Sequence, residues 1–398
     1  MTESRNRHRL ATLASAALAI PGLSLPADAA TVLTETVVQY KASAYREDDL
    51  DSGKLSGGST KRYDIDSHQF RAAAPLGDTT DVAVDLTYET MSGASPWFIL
   101  PGQKGPVQVM SGASIEEQRK DVQASVNQLI GDKAKLSVKA GASEENDYFA
   151  LNAGLEGLYE FNDGLVTLTG GIGYSDDELE PTDGDILPDR VDEASKDATT
   201  AFVGLSRILS PQTVVQGSLS LNVQRGYLSD PYKKVWQDDI ANTVADARPE
   251  RREEWVGQLR LRHFLPDIKA ALHVDYRYFE DDWDIASHTF DVSWYQNLPG
   301  GWQLTPSLRY YSQTQAFFYA PYFFSARADG LASSDYRLSP YGAWSLRLRL
   351  EKQWGDIGLH AEWEGYEASA DYALETVDVE NPSLVSFQLL SLGLNWQL

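Results

Sequence analysis

Through most of this chain apolar residues fall on every second position, in segments of about ten residues, and that spacing leaves few folds open. In 82–89, Val82, Val84, Leu86 and Tyr88 alternate with Ala83, Asp85, Thr87 and Glu89. In 344–351, Trp344, Leu346, Leu348 and Leu350 alternate with Ser345, Arg347, Arg349 and Glu351. Segments 215–224, 255–262, 272–278 and 357–364 repeat the pattern. Side chains alternate faces along a strand, so each segment has one greasy face and one polar face. No stretch of eighteen apolar residues follows residue 29, so no transmembrane helix is expected. If this chain crosses a membrane, only a closed barrel satisfies its backbone hydrogen bonds.

The connectors point the same way. Short turns with Gly, Pro, Asn and Asp chemistry fall at Pro75–Asp78, Gly131–Lys133, Asn162–Gly164, Ser210–Thr213, Leu265–Asp267, Leu298–Gly301 and Gly355–Asp356. Between them lie connectors that are mostly longer: 47–61, 92–114, 143–147, 176–197, 229–252, 280–285, 320–337 and 369–384. Strict alternation gives about sixteen strands with both ends on the turn side, and the weaker pair in 134–161 leaves fourteen as the alternative. The fold class expected is all-β, an up-and-down transmembrane barrel with short periplasmic turns and long extracellular loops. Tyr40, Tyr45, Tyr63, Tyr88, Tyr159, Tyr174, Tyr227, Tyr276, Trp294, Trp302, Tyr310 and Trp354 sit near segment ends, as interfacial girdles require.

Both ends of the chain read as address labels. Arg5, Arg7 and Arg9, then the apolar run Leu10–Leu23, then Ala27-Asp28-Ala29 have the order of a secretory leader, giving a leader over 1–29 and a barrel domain over 30–398. At the other end, Ser391, Gly393, Trp396 and Leu398 resemble the C-terminal signal read by the barrel assembly machinery, with Leu in place of the usual terminal Phe. The bacterial outer membrane, with its lipid and lipopolysaccharide, is the expected location. With no Cys there are no disulfides or thiolate sites, and a net charge of −24 is a poor match to nucleic acid.

Several longer motifs follow in order: Gly226–Lys233 (GYLSDPYK), Arg248–Arg251 (RPER), His273–Trp283 (HVDYRYFEDDW), Arg309–Gln313 with Ala316–Tyr319, and Ser333–Ser339 (SSDYRLS). With Ser92–Pro96, they resemble a family of bacterial outer-membrane proteins known only as a domain of unknown function. The resemblance covers essentially the whole chain after the leader and brings no catalytic residues. Members are often encoded beside a periplasmic flavin transferase and small thioredoxin-like or lipoprotein partners, which implies an envelope redox protein as a partner.

Candidate sites follow from the polar face. Arg260, Arg262, Arg277, Arg309, Arg347 and Arg349 would line a lumen, facing Asp275, Asp291, Glu351, Glu362 and Glu364. Opposed rows would set a transverse field for polar or charged solutes; a packed lattice of ion pairs that only stiffens the wall is the other reading. Asp176–Glu193 holds nine acids against Arg190 and reads as a solvated acidic loop, with loose divalent binding as the alternative. His263 and His273, on consecutive segments and with His288 near, could approach one another, but no metal-ligand spacing accompanies them. No Ser stands beside a His with an orienting third group, so neither an enzyme nor a cofactor is expected. The glycines of Gly170–Gly173 suit strand curvature or close packing. The aromatic start of loop 320–337 suits either a partner site or a constriction in the mouth. A channel for polar material leads, with a non-conducting scaffold for a protein partner second.

Overall fold

A computed structural model describes residues 30–111, 115–185, 187 and 190–398; the leader lies outside the described residues. Sixteen antiparallel strands close into one barrel. The first eight are β1 (Val37–Glu47), β2 (Asp64–Pro75), β3 (Thr80–Gly93), β4 (Ile115–Ile130), β5 (Ala134–Glu144), β6 (Tyr148–Phe161), β7 (Val166–Leu179) and β8 (Ala194–Ser210). The others are β9 (Thr213–Gly226), β10 (Arg251–Leu265), β11 (Ala270–Asp281), β12 (Ala286–Leu298), β13 (Trp302–Gln313), β14 (Tyr341–Trp354), β15 (Ile357–Ser369) and β16 (Ser386–Gln397). The weak pair forms as β5 and β6, which settles the count at sixteen rather than fourteen. Each strand pairs with its neighbour in sequence, and β1 pairs with β16 from Val37↔Gln397 to Glu47↔Phe387.

All seven short turns lie where their chemistry places them. In several of them the backbone turns left-handed, with two successive residues doing so at Asn162-Asp163 (φ 51° and 54°) and Gly300-Gly301 (φ 76° and 78°). These residue types tolerate that region best.

The apolar face points outward. Leu259, Leu346, Leu348, Leu390, Leu392 and Leu394 are all exposed, Leu259 by 59 %. Such a continuous apolar belt has no place in water and suits hydrocarbon. Aromatic rings border it: Tyr159, Trp302, Trp354 and Trp396 toward the turns, Tyr88, Tyr174, Trp255 and Trp344 toward the loops. Two rings assigned to the girdles belong elsewhere. Tyr45 turns inward onto Phe387, at 4.6 Å between ring centroids, and Tyr63 is buried in a loop cluster.

The C-terminal signature has a packing logic of its own. Leu390, Leu392, Trp396 and Leu398 face out. Ser391 faces in and bonds Ser43 at 2.9 Å. A Cβ on Gly393 would lie 2.0 Å from the His360 ring, so only glycine lets that imidazole cross the strand. In β7 the same need holds at Gly171, where a Cβ would meet the Phe202 ring at 2.6 Å.

Candidate functional site

The long loops fold together into the loop-side mouth. Trp283, Ile285, Ala316, Phe318, Tyr319 and Leu338 form one buried cluster, and Phe279 of β11 packs against it. Tyr63 and Tyr232 form a second with Met91 of β3. Phe279 and Met91 share the inward register of Asp275 and Asp85, so the loops that touch them lie within the mouth. The 314–340 connector therefore divides: Phe318 and Tyr319 are inside this plug, while Phe324 is 75 % exposed.

Six charges hold the plug. Arg248 Nη2 lies 2.9 Å from Asp335 Oδ2, Arg337 Nε donates to the same oxygen at 2.8 Å, and Lys233 Nζ lies 3.7 Å from Asp335 Oδ1. Arg337 also reaches Asp230 at 2.9 Å, and Arg248 reaches Asp246 at 2.7 Å. Three cations thus meet three carboxylates. Burial alone would raise the Asp335 carboxyl, but Arg337, Lys233 and Arg248 outweigh it and hold that carboxyl far below the usual range. Burial dominates at Lys233 and lowers its ammonium. Lys233 Nζ also donates to the Pro96 carbonyl at 3.3 Å and lies 5.6 Å from the centre of the Tyr336 ring. Arg62 approaches the same ring at 5.7 Å and bonds Glu47 of β1 at 2.7 Å.

Polar contacts bind the remaining loops. Asn381 donates to Tyr319 Oη at 2.9 Å and to the Ser334 carbonyl at 3.2 Å. Gln313 of β13 donates to the Arg337 and Ser339 carbonyls at 3.0 and 2.6 Å. Tyr232 donates its hydroxyl to Asp147 and accepts from Thr182 N at 3.0 Å, joining two more loops.

Sequence reasoning missed this charged core. All its members except Asp246 lie in motifs quoted for the family resemblance, 226–233, 248–251 and 333–339. Each of those motifs places charge among rings, Pro or Gly, two in the connector between β9 and β10 and one in that between β13 and β14, which is the signal that could have found them.

Beside the plug, the short 145–147 connector carries a carboxyl of unusual basicity. Burial pushes Glu145 up to about 8; Arg119 opposes this, while Asp147, Glu117 and Glu89 add to it. The folded chain then holds a proton between pH about 4.5 and about 8 that the opened loop gives up. The stabilisation is complete below that window and is lost as pH rises through it. Amide protection around 144–148, corrected for intrinsic rate, should fall at least about tenfold between pH 5 and 8. Glu145→Gln should flatten that profile.

The charged residues expected on the lumen share one face. Register pairs Arg260 with Asp275, Asp275 with Asp291, and Asp291 with Arg309 across β10 to β13. Arg347 and Arg349 of β14 stand opposite Glu364 and Glu362 of β15, and Glu351 opposite His360. Arg262 binds Asp275 at 2.5 Å, and Asp291 lies 3.1 Å from Arg309 and 3.7 Å from Arg347. Arg349 reaches Glu351 at 2.8 Å and Glu362 at 3.9 Å; Glu364 accepts from Ser345. Arg277 lies 5.7 Å from the centre of the Phe279 ring. Acids and bases therefore stand beside one another on one wall instead of facing across the lumen. Across the barrel, Arg71 with Asp85 at 2.6 Å and Arg119 with Glu89 at 3.3 Å repeat the pairing.

Two expectations fail on parity and length. Arg262 stands opposite His273 and His263 opposite Leu272, so the two imidazoles point to opposite faces and cannot meet. His288 bonds Tyr276 at 2.8 Å instead. The acidic segment is not wholly loop either. Asp176, Asp177 and Glu178 belong to β7, where Asp177 is buried against Tyr148 and Lys196 at 2.6 and 3.6 Å. Asp189 lies outside the described residues.

Solved structures share the architecture at very low identity. CdiB from Acinetobacter baumannii superposes with a TM-score of 0.53 at 9 % identity, over 92 % of this chain and 60 % of its own. A bacterial polysaccharide outer membrane secretin gives 0.49 at 10 %, over 92 % and 99 %. OccK2 of Pseudomonas aeruginosa, solved with glucuronate, gives 0.43 at 10 %, over 92 % and 98 %. This chain spans about 60 % of CdiB, and what it shares with CdiB is the barrel fold. By sequence, none of the curated proteins matches it. Residues 10–380 match the family described as "Protein of unknown function (DUF3570)", and the chain belongs to that family.

Proposed function

We propose that this outer-membrane barrel is a conduit for polar or charged material whose extracellular mouth is held shut at rest by the loop plug. The observation that carries the reading is the unbroken charged face over β10 to β15. Such a wall suits hydrated or ionic solutes, while the plug above it denies them free passage. The buried ion pairs give the plug two arrangements to choose between, latched and released, instead of a graded flexibility.

Planar-bilayer recording of the refolded protein after leader removal tests this. The native barrel should be quiet, and Asp335→Asn should give stable conductance steps. In that background Arg347→Glu with Arg349→Glu exchanges two positive charges for two negative ones and should shift selectivity toward cations. Unchanged selectivity would show that current does not pass this wall.

A second reading, a non-conducting scaffold for a protein partner, is favoured by how thoroughly the plug is buried. A folded Asp335→Asn barrel that stays silent would support it over the conduit. Nothing in the geometry bears on an envelope redox partner, and the proposal does not require one.

A further inference from the structure

We propose that leader removal itself builds an ion pair that straps the turn-side mouth: cleavage after Ala29 converts the Ala30 nitrogen into an α-ammonium bound by Glu160. The inference rests on the leader reading and is independent of whether the barrel conducts.

Residues 30–36 precede β1 and run along the barrel's turn-side end. Leu398 N donates to the Thr36 carbonyl at 2.8 Å, fixing the segment beside β16. Leu33 N donates to Asp81 Oδ2 of β3 at 2.9 Å, and Ala30 N lies 2.5 Å from Glu160 Oε1 of β6. From Thr36 beside β16 the segment passes Asp81 of β3 and reaches Glu160 of β6, so these few residues tie the start of β1 to β3 and β6 at the turn-side end. Its anchors are built. Asp81 is buried, and its other oxygen accepts from Asn127 at 2.6 Å while Asn127 accepts from Ser137 at 2.6 Å. Glu160 shares the inward register of Thr167 and Thr169, and no ion pair joins it to a side chain among the described residues.

The chemistry completes what the fold leaves open. Hydrolysis of the Ala29–Ala30 peptide bond by the leader peptidase consumes one water, leaves a carboxylate on Ala29 and transfers the proton to Ala30. A neutral N–H facing a carboxylate becomes an ammonium facing it, and charge-assisted hydrogen bonds are the stronger kind. An uncleaved chain, or one cut elsewhere, forms no such pair.

The test uses full-length protein purified from outer membranes. Its first residue is sequenced, and its α-amine is acylated near neutral pH and followed by mass spectrometry of the N-terminal peptide. Pairing keeps the amine protonated and unreactive. Native protein beginning at Ala30 should therefore label about tenfold more slowly than Glu160→Gln. A second variant, with two glycines inserted between Ala29 and Ala30, leaves the wall untouched and moves the amine; it should label as fast as Glu160→Gln. A different first residue, or equal labelling rates in all three proteins, would overturn the proposal.

Discussion

Replacing Asp335 with Asn is expected to destabilise the closed plug by about 3–5 kcal/mol, because it leaves Lys233, Arg248 and Arg337 crowded around a neutral amide in a dry site. That is a hundredfold or more in the ratio of closed to open loops. The barrel wall should survive, since none of its strands depends on this carboxylate; heat-modifiable migration in gels should remain. Protease cleavage within 314–340 is the direct readout and should appear only in the variant. The pH response separates this mechanism from simple misfolding. Neither Arg can lose its proton, so Lys233, whose ammonium burial already disfavours, is the group that yields. A closed state holding neutral Lys233 binds fewer protons than the open one, so closure should recover as pH rises. Arg327→Ala is the contrasting case. Its pair with Asp329 lies at the surface, where solvent screens it, and losing it should leave loop protection nearly unchanged.

Leu348→Arg is expected to cost about 2–4 kcal/mol of barrel stability in a bilayer. Leu348 lies near the middle of β14, faces outward with 46 % of its surface exposed, and has Pro306 and Trp363 as strand neighbours. In water such a change would be nearly neutral. In lipid, a guanidinium at mid-depth must find partners where none exist. Unfolding in urea from lipid vesicles should show the full loss. If Leu348→Arg left stability in vesicles unchanged, the outward belt would not be the lipid face.

What the sequence made legible was whatever is local. Strand number, turn positions and the greasy face follow from a two-residue period and from turn chemistry within four residues, so β5 and β6 emerge correctly despite their weak pattern. The plug was not legible, because nothing near Asp230 announces Arg337, and nothing near Lys233 announces Asp335. Pairings between loops a hundred residues apart are set only once the barrel brings those loops together. The His263–His273 expectation shows a finer limit. Adjacent segments were identified correctly, but a one-residue offset in register sends the rings to opposite faces. Likewise Asp177 reads as loop by composition and is strand by pairing, because Tyr148 and Lys196 supply partners that an acidic run does not reveal.

The seam between β1 and β16 gives the barrel a timetable. Its contacts join the first strand made to the last, the longest loop closure the chain can require, and entropy charges most for such contacts before any reward arrives. Until β16 emerges, β1 and β15 are open edges with unpaired backbone groups, which hydrocarbon does not tolerate and which invite pairing with other chains. Neighbour-to-neighbour hairpins can form early and reversibly, but commitment to the membrane comes with the final strand. A chain truncated before Ser386 should therefore persist as an aggregation-prone sheet, lacking the one step that turns a curved sheet into a vessel.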